Sequence, residues 1–525
     1  MDLNIYWGES HDNTYQTSKM PAPIDEVLRR AASHLDFYAA AYYTSCASAF
    51  RPGGHLSELE GKHDLILEGW KSAERLEREW ADVEEATRTH NRTGEFVTFP
   101  GYEWQGDGSG GDHNIYARTE GILPVFRVNT LPDLYDRLRG LDVLAIPHHM
   151  GYRPGRRGKD WAVHDEALSP FAEIFSCHGC SETDEEWIGL RNNSHMGPGF
   201  APGMWQTALN MGLHVGCVGS TDNWGEMPGH HGSGRMAVLA KELTRESLWR
   251  AFKARHVYGT TGDRIRIDFR IADAVMGDRI RLEGKRVIEC AVVGSDAIDR
   301  IELLRNGRVI ATECHQGTWD APGAGRRSRF KMRIEVGWGP RPGELMLPDH
   351  KWQGDISVDG GRMLAFEPCW ISPQKGRPTL RDNQARFEMV TPSRLSKEPI
   401  QNANVFEFEA DASSLMRLRL NGLEESGTVA EFMDGSREMW FRQECVQTLR
   451  EAAGIQPGSP ERDDIYHHMA FKAKIHRPIS EAGYTARLQF EDDEPFQGET
   501  HYRIRVEQRN GQRAWSSPIW VRRTR

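Results

Sequence analysis

The chain has 525 residues, with 66 Lys and Arg against 76 Asp and Glu and a formal net charge of −10. At 38% hydrophobic and 27% charged it can bury a core, while the cation excess of a nucleic-acid or anionic-membrane binder is absent. No stretch reaches the ~18 apolar residues of a spanning helix, and the first residues read as a strand instead of a leader, so a cytoplasmic chain of two or three domains is expected.

The N-terminal half alternates strand-like and helix-like segments. Leu3–Trp7 is an apolar strand. Pro23–His34 follows, with Ile24, Val27, Leu28 and Ala31 on one helical face. Leu35–Tyr43 reads as a second strand, Leu65–Thr93 as a long charged helix stopped by Gly94, Phe96–Pro100 and His113–Ala117 as strands. Leu131–Leu141 is a helix behind the cap Thr130. Asp142–Pro147, Phe171–Ser176, His214–Ser220 and Met236–Ala240 are buried strands, and Thr244–Arg255 is a helix. Repeated β-α units of this length predict a parallel barrel or sheet over residues 1–264.

From Ile265 the pattern changes to short alternating strands: Ile265–Ile271, Val287–Val293, Arg300–Leu304 and Arg329–Val336. Asn306-Gly307 and Asn510-Gly511 sit between strand-like runs and predict hairpins. A helix is expected near Glu438–Ala453. Residues 265–525 are therefore read as a β-sandwich region of one or two modules.

Histidine is unevenly spread: 15 of 21 lie in the first 256 residues. The eight cysteines are scattered, which fits reduced thiols. The one close pair, Cys177 and Cys180, is a weak zinc signal without a second pair.

In a parallel barrel the active site lies where the strands end. After the first predicted strand come Glu9, His11 and Asn13; after the third, Glu103 and then His113; after the next, His148 and His149. Glu173 and His178 lie near the end of Phe171–Ser176, and Asp222 follows Ser220. The second strand ends in Tyr42 and Tyr43. Ligand-type side chains at five strand ends predict one metal-binding mouth, and mixed His, Glu and Asp donors suit Zn, Mn or Fe.

These segments also resemble a known family. Trp7-Gly8-Glu9-Ser10-His11-Asp12-Asn13-Thr14 resembles the opening D-x-H-x-H motif of the polymerase-and-histidinol-phosphatase (PHP) superfamily. Leu35-Asp36-Phe37, Gly101-Tyr102-Glu103, Ile146-Pro147-His148-His149 and Gly219-Ser220-Thr221-Asp222-Asn223-Trp224 follow in the family's order. Thr260–Ile265 and Trp515–Val521 resemble a long branch with a C-terminal β module. The resemblance implies a distorted (β/α)7 TIM-like barrel and hydrolysis, usually of phosphoesters, by a metal-activated hydroxide.

Three positions depart from the family pattern: Asn13, Tyr43 and Trp224 stand where it has histidine. The resemblance then implies two divalent ions at most. One would take His11, Glu103 and Asp222, with Asn13 as a weak donor; the other would share Glu103 and take His113 and His148. Glu9 either orients His11 or binds directly. His149 and His178 are either ligands or proton shuttles, the latter shared with Asp222.

Substrate contacts are expected from Arg153 and Arg156 in the basic loop 153–159, which suits an anion unless it is simply a solvated loop. Tyr42, Tyr43 and Trp224 form either an aromatic wall or core packing. The sequence reading is a metal-dependent hydrolase of a small anionic substrate, favouring an organic phosphoester, with a homo-oligomer open. Cleavage of an amide, ester or lactone, and a degenerate non-catalytic barrel with a binding β module, are its alternatives.

Overall fold

Three strands in succession each cross from one sheet into the next, and this builds the frame of the site. The computed structural model describes residues 3–15, 22–44, 71, 73–185, 188–190, 197–223, 227–315, 322–323, 325–339, 347–374, 376–392, 401–454 and 470–523. The first strand is β1 (Asn4–Glu9), continued by β2 (Asn13–Thr14). After α1 (Ile24–Ala32) the second runs through β3 (Phe37–Ala39) into β4 (Ala41–Tyr43). After α2 (Ala73–His90) the third runs through β5 (Val97–Phe99) into β6 (Gly101–Trp104). β1, β3 and β5 pair in parallel, and so do β2, β4 and β6.

β7 (His113–Ala117) then returns antiparallel to β6 and pairs with β8 (Val143–Pro147), with α3 (Leu131–Leu138) between them. Thr130 caps α3 through Asp133 N, as its position before an apolar helix face requires. β9 (Phe171–Ser176) makes a tight hairpin with β10 (Gly179–Cys180). After α4 (Trp205–Asn210), β11 (Gly216–Gly219) lies parallel to β9. β12 (Arg235–Ala240) pairs antiparallel with β1 and with β13 (Val257–Thr260), and α5 (Arg245–Lys253), capped by Thr244, joins the two.

The fold is mixed α/β and strand-rich. The strand pairing of the described residues does not trace the expected distorted (β/α)7 barrel: β6, β7 and β8 are antiparallel neighbours, and β8 is not hydrogen-bonded to β9. The long charged helix is α2; residues 65–70 and 72 of its expected span lie outside the described residues.

The chain divides into two compact units, and not at residue 264. One comprises residues 1–292, 299–314 and 487–525; the other comprises 293–298 and 315–486. The expected boundary differs because the last strands return to the first unit. Arg513–Ser516 pairs with β13, and Glu499–Gln508 pairs with Arg513–Ser516 and Ile519–Arg523. Asn306 and Gly307 both take positive φ, 50° and 82°, in the two-residue turn between Ile298–Arg305 and Arg308–Cys314.

The second unit holds two antiparallel sheets over one apolar core. Arg327–Gly337 and Asn402–Asp411 are central in one, His350–Val358 in the other. Phe330, Ile334 and Phe406 meet Trp352, Ile356 and Leu418 in that core. The helix expected near its end is Arg442–Ala453, closed by Gly454 in the left-handed region.

Trp515 is one anchor of the C-terminal strands in the first unit. Its ring is fully buried and stacks on Phe175 at 5.6 Å, and its indole N–H donates to Glu182 at 2.7 Å. Trp515→Ala is expected to cost about 3–5 kcal/mol, read as a lower urea midpoint for the first unit. A midpoint unchanged within error would show that these strands do not support the unit.

Candidate metal centre

The loop after β1 is organised by a carboxylate. Glu9 is fully buried and its Oε1 accepts hydrogen bonds from the backbone N–H of Ser10, His11 and Thr221 and from the Ser220 hydroxyl; its Oε2 accepts from Gly229 N–H. With five donors around it, this side chain is turned to the protein, the orienting role of the two considered for it. Asp222 N–H donates to His11 O at 2.6 Å and Asn13 N–H to Asn223 O at 2.7 Å, so the loops after β1 and β11 are bound main chain to main chain.

His11 projects from this frame with both ring nitrogens among carboxylates. Nδ1 lies 2.9 Å from Glu173 Oε2, while Nε2 lies 3.2 Å from Asp222 Oδ1 and 3.8 Å from Glu103 Oε2. Fixing one imidazole nitrogen with a carboxylate aims the other at a metal. His148 comes from the end of β8, its ring 4.2 Å from that of His11 and its Nε2 3.7 Å from Glu103 Oε1. One donor atom from each of His11, His148, Glu173 and Asp222 lies within 4.8 Å of the others.

Several of these atoms are buried without a hydrogen-bond partner: His11 Nε2, both nitrogens of His148, Glu103 Oε2 and Glu173 Oε1. Orphaned polar atoms of this density cost free energy unless something satisfies them together. A divalent cation fits: imidazole nitrogens and carboxylate oxygens are its usual donors, and both converge here.

Around the cluster, electrostatics sort the titrating groups. Burial alone would lower the His11 pKa, but the charges of Asp222 and Glu173 outweigh it and hold it well above 6.5. Burial pushes Glu173 up, with Asp222 and Glu9 adding to the shift. Asp222 is held low against its burial by His11 and His178. His148 is driven well down, by burial first and then by its neighbours His11 and His149.

The structure brings His11, Glu103, His148 and Asp222 together, with His149 and His178 on their flank: the His148–His149 and His149–His178 rings are 4.3 and 5.1 Å apart. Asn13 donates to Asp222 Oδ1 at 3.3 Å, and its buried carbonyl oxygen has no partner.

His113 is not brought in, a correction to the expected ligand set. Its Nδ1 meets Gly111 O at 3.0 Å and its Nε2 faces the Tyr135 hydroxyl at 3.4 Å. The reason is strand parity. Side chains of β7 alternate between faces; His113 and Ile115 point to the core with Trp104 and Tyr135, while the Tyr116 hydroxyl donates to Ser10 O on the site side.

Arg153 and Arg156 are exposed, and it is Arg157, at a positive φ of 67°, that turns inward and donates through Nε to Asp112 Oδ2 at 2.7 Å. Asp112 in turn faces His149 Nε2 at 3.4 Å. Tyr42 belongs to the core, donating to Glu79 and packing near Trp80. Tyr43 is half-buried with its hydroxyl 3.5 Å from Gln105, whose amide holds Glu103. Trp224 lies outside the described residues.

Asp112 and Arg157 were missed by sequence reading. Asp112 precedes an antiparallel strand, so the start of β7, not its end, reaches the site; an acidic residue next to His113 was the available signal. Glu173 was noted at its strand but given no role, because it lies within β9 instead of after it.

Residues 195–280 match a family described as a protein of unknown function (DUF3604). An uncharacterised protein of Chlamydia pneumoniae is 26% identical over 334 residues, which is 59% of this chain and 48% of that protein. One of Chlamydia muridarum is 27% identical over 35% of this chain and 31% of its own length. The chain thus spans about half or less of the curated relatives it matches. Among solved structures, a two-domain protein from Bacteroides vulgatus, described as containing a predicted PHP-like metal-dependent phosphoesterase, aligns over 57% of this chain and 79% of its own. That alignment has 12% identity and a TM-score of 0.34. Among the described residues no helix is long and apolar enough to cross a membrane.

Two expectations follow from the geometry. Glu9→Ala strands several buried backbone donors and should destabilise the chelated protein by about 3 kcal/mol or more, whereas Glu103→Ala removes one charge from a repelling cluster and should leave the urea midpoint unchanged or raise it. The reverse ranking would make Glu9 the ligand and Glu103 the scaffold. Away from the cluster, His34 and His164 are lowered to about 3, by burial first and by Arg235 and Lys159 next. Unfolded, each binds a proton below about 6.5. Their stability is present above that pH and lost as it falls toward 3. Between pH 7 and 5 the wild type should therefore lose stability relative to His164→Gln, read as the difference between their urea midpoints; a difference that does not change with pH would remove His164 from the account.

Proposed function

We propose that this chain is a metal-dependent hydrolase whose favoured substrate is a small organic phosphoester. The observation that carries the reading is the buried set His11, His148, Glu173 and Asp222, with Glu103 beside it and several of its donor atoms unpartnered. A Zn, Mn or Fe ion bound there lowers the pKa of water and neutralises negative charge that develops on a reacting centre.

This chain's own residues do the rest. His11 Nε2, Asp222 Oδ1, Glu103 and His148 would hold the ion, and Glu173 orients His11 through Nδ1. His149 stands next to His148 with one nitrogen toward Asp112 and its Nδ1 buried without a partner. Burial keeps its pKa below 6.5, so it is neutral near pH 7 and suited to accept a proton. The exposed guanidinium groups of Arg153 and Arg156 lie in the loop whose Arg157 reaches the cluster, and they supply positive charge for an anionic substrate.

Phosphomonoesters, phosphodiesters, esters, lactones and amides offered to the protein should reveal at least one turnover, greatest for a phosphoester, that chelator abolishes and added metal restores. Asp222→Ala and Glu103→Ala should remove it, and His149→Ala should lower it by about 10²–10⁴-fold. Turnover that survives chelation would end the metal reading; turnover of amides or lactones alone would end the phosphoester reading.

A further inference from the structure

A cavity in the first unit shares no residue with the candidate centre. It measures about 410 Å³ and opens between the end of α4, the Asn306 turn and the strands Glu499–Gln508 and Ile519–Arg523. That volume falls within the ~300–1,000 Å³ of small-molecule sites.

The polar wall is held from behind. Asn306 N–H donates to His501 O at 3.0 Å, and Asn306 Oδ1 accepts from His501 N–H at 3.0 Å and from the Thr500 hydroxyl at 3.1 Å. On the helix side, Asn210 Oδ1 accepts from the Gln206 amide at 2.9 Å. In both asparagines the carbonyl oxygen is engaged, which leaves the amide N–H groups as donors for a ligand. The apolar wall is Leu209 and Trp520, the indole braced by the edge of His214 at 5.3 Å.

Two acceptors complete the lining. His501 is 6% exposed, and its Nε2 has no hydrogen-bond partner among the described residues. A buried nitrogen left unsatisfied at a cavity wall is a group that a ligand can satisfy. Burial first, and then the charge of Arg503, lowers the His501 pKa to about 3, so the ring is neutral. Glu499 Oε1 faces His214 Nε2 at 2.6 Å, while its Oε2 lies 3.6 Å from Arg522 and 3.9 Å from Arg279, beyond hydrogen-bond reach.

These charges select the ligand class. The lining holds one carboxylate and no cation, which disfavours an anion. Two guanidinium groups beside that carboxylate disfavour a cation. A neutral ligand remains, and it must both donate and accept. Hydroxyl groups do both, and a sugar ring adds a C–H face for the apolar wall.

We propose that this cavity binds a neutral pyranose, with hydroxyls on Asn210, Asn306, Glu499 and His501 and its C–H face on Leu209 and Trp520. The site goes beyond the hydrolase reading and does not depend on it. A free hexose and the terminal unit of a glycan present the same hydroxyls, so the test must separate them.

The full chain is titrated by calorimetry with glucose, galactose and mannose, their methyl glycosides and trisaccharides that end in each, with glucuronate and inorganic phosphate for comparison. At least one neutral pyranose should saturate the protein in the millimolar range. A trisaccharide that binds as well as the matching methyl glycoside identifies a glycan end; binding of the free hexose alone identifies a small sugar. Asn210→Ala, which removes an exposed amide, and His501→Gln should each weaken binding about tenfold. Asp222→Ala, at the candidate centre, should bind with unchanged affinity. Failure of every neutral sugar at tens of millimolar, a preference for glucuronate or phosphate, or affinities unchanged in both Asn210→Ala and His501→Gln would overturn the proposal and leave the hydrolase reading standing.

Discussion

The Glu9 carboxylate is the contact on which the candidate centre hangs. A buried loop must find partners for its backbone donors, and here one side chain satisfies those of Ser10, His11, Thr221 and Gly229 at once. Charge-assisted hydrogen bonds of this kind are stronger than neutral ones. They bind the end of β1 to the loop after β11, segments more than two hundred residues apart in sequence. With that frame closed, His11 O accepts from Asp222 N–H and from the Thr221 hydroxyl. His11 and Asp222, which face each other across the cluster, thus have their backbones fixed to one another by main-chain hydrogen bonding. Such support is what holds a metal site to its geometry.

That frame also concentrates charge. Glu9, Glu103, Asp112, Glu173 and Asp222 are all buried, and Arg157 is paired with Asp112. Carboxylates out of water repel one another and need a compensating cation. The raised pKa of His11 is one expression of this: its neighbours hold a proton on a ring that burial would strip. A divalent ion would supply more charge at the same place and would have to displace the His11 proton to reach its nitrogen. The split environment of Asp222, with an imidazole at each oxygen, extends the same competition to His178.

Much of this was legible in the sequence, because its signals were local. Thr130 and Thr244 mark helix starts, Asn306-Gly307 marks a two-residue turn, and the apolar stripe Ile24, Val27, Leu28 and Ala31 marks the buried face of α1. His11, Glu103, His148 and Asp222 were identifiable because each follows or ends a strand. What failed depended on pairing. His113 looks like a ligand until β7 is known to run antiparallel to β6, which brings Asp112 to the site and sends His113 to the core. Arg157 resembles Arg153 and Arg156 in composition, and only its left-handed backbone turns it inward. The return of the last strands to the first unit follows from hydrogen bonding between β13 and Arg513–Ser516, which no local pattern announces.

That return bears on the chemistry. The hairpin that presents Cys177 and His178 is an extension of β9, and β9 is backed by Trp515 stacked on Phe175. Just beyond the hairpin, buried Glu182 accepts from Arg503, Arg505 and Trp515. This buried carboxylate draws its donors from two C-terminal strands at once, which ties both of them to the segment after β10. Cys217 on β11, the strand that leads to Asp222, is tied to the same region through Ser517 Oγ, which accepts its N–H at 3.0 Å. Both strands that lead to His178 and Asp222 are therefore packed against the end of the chain. The C-terminal strands are part of the scaffold behind the candidate centre instead of an appended module, so its support comes from both ends of the sequence, Glu9 at one and Trp515 and Ser517 at the other.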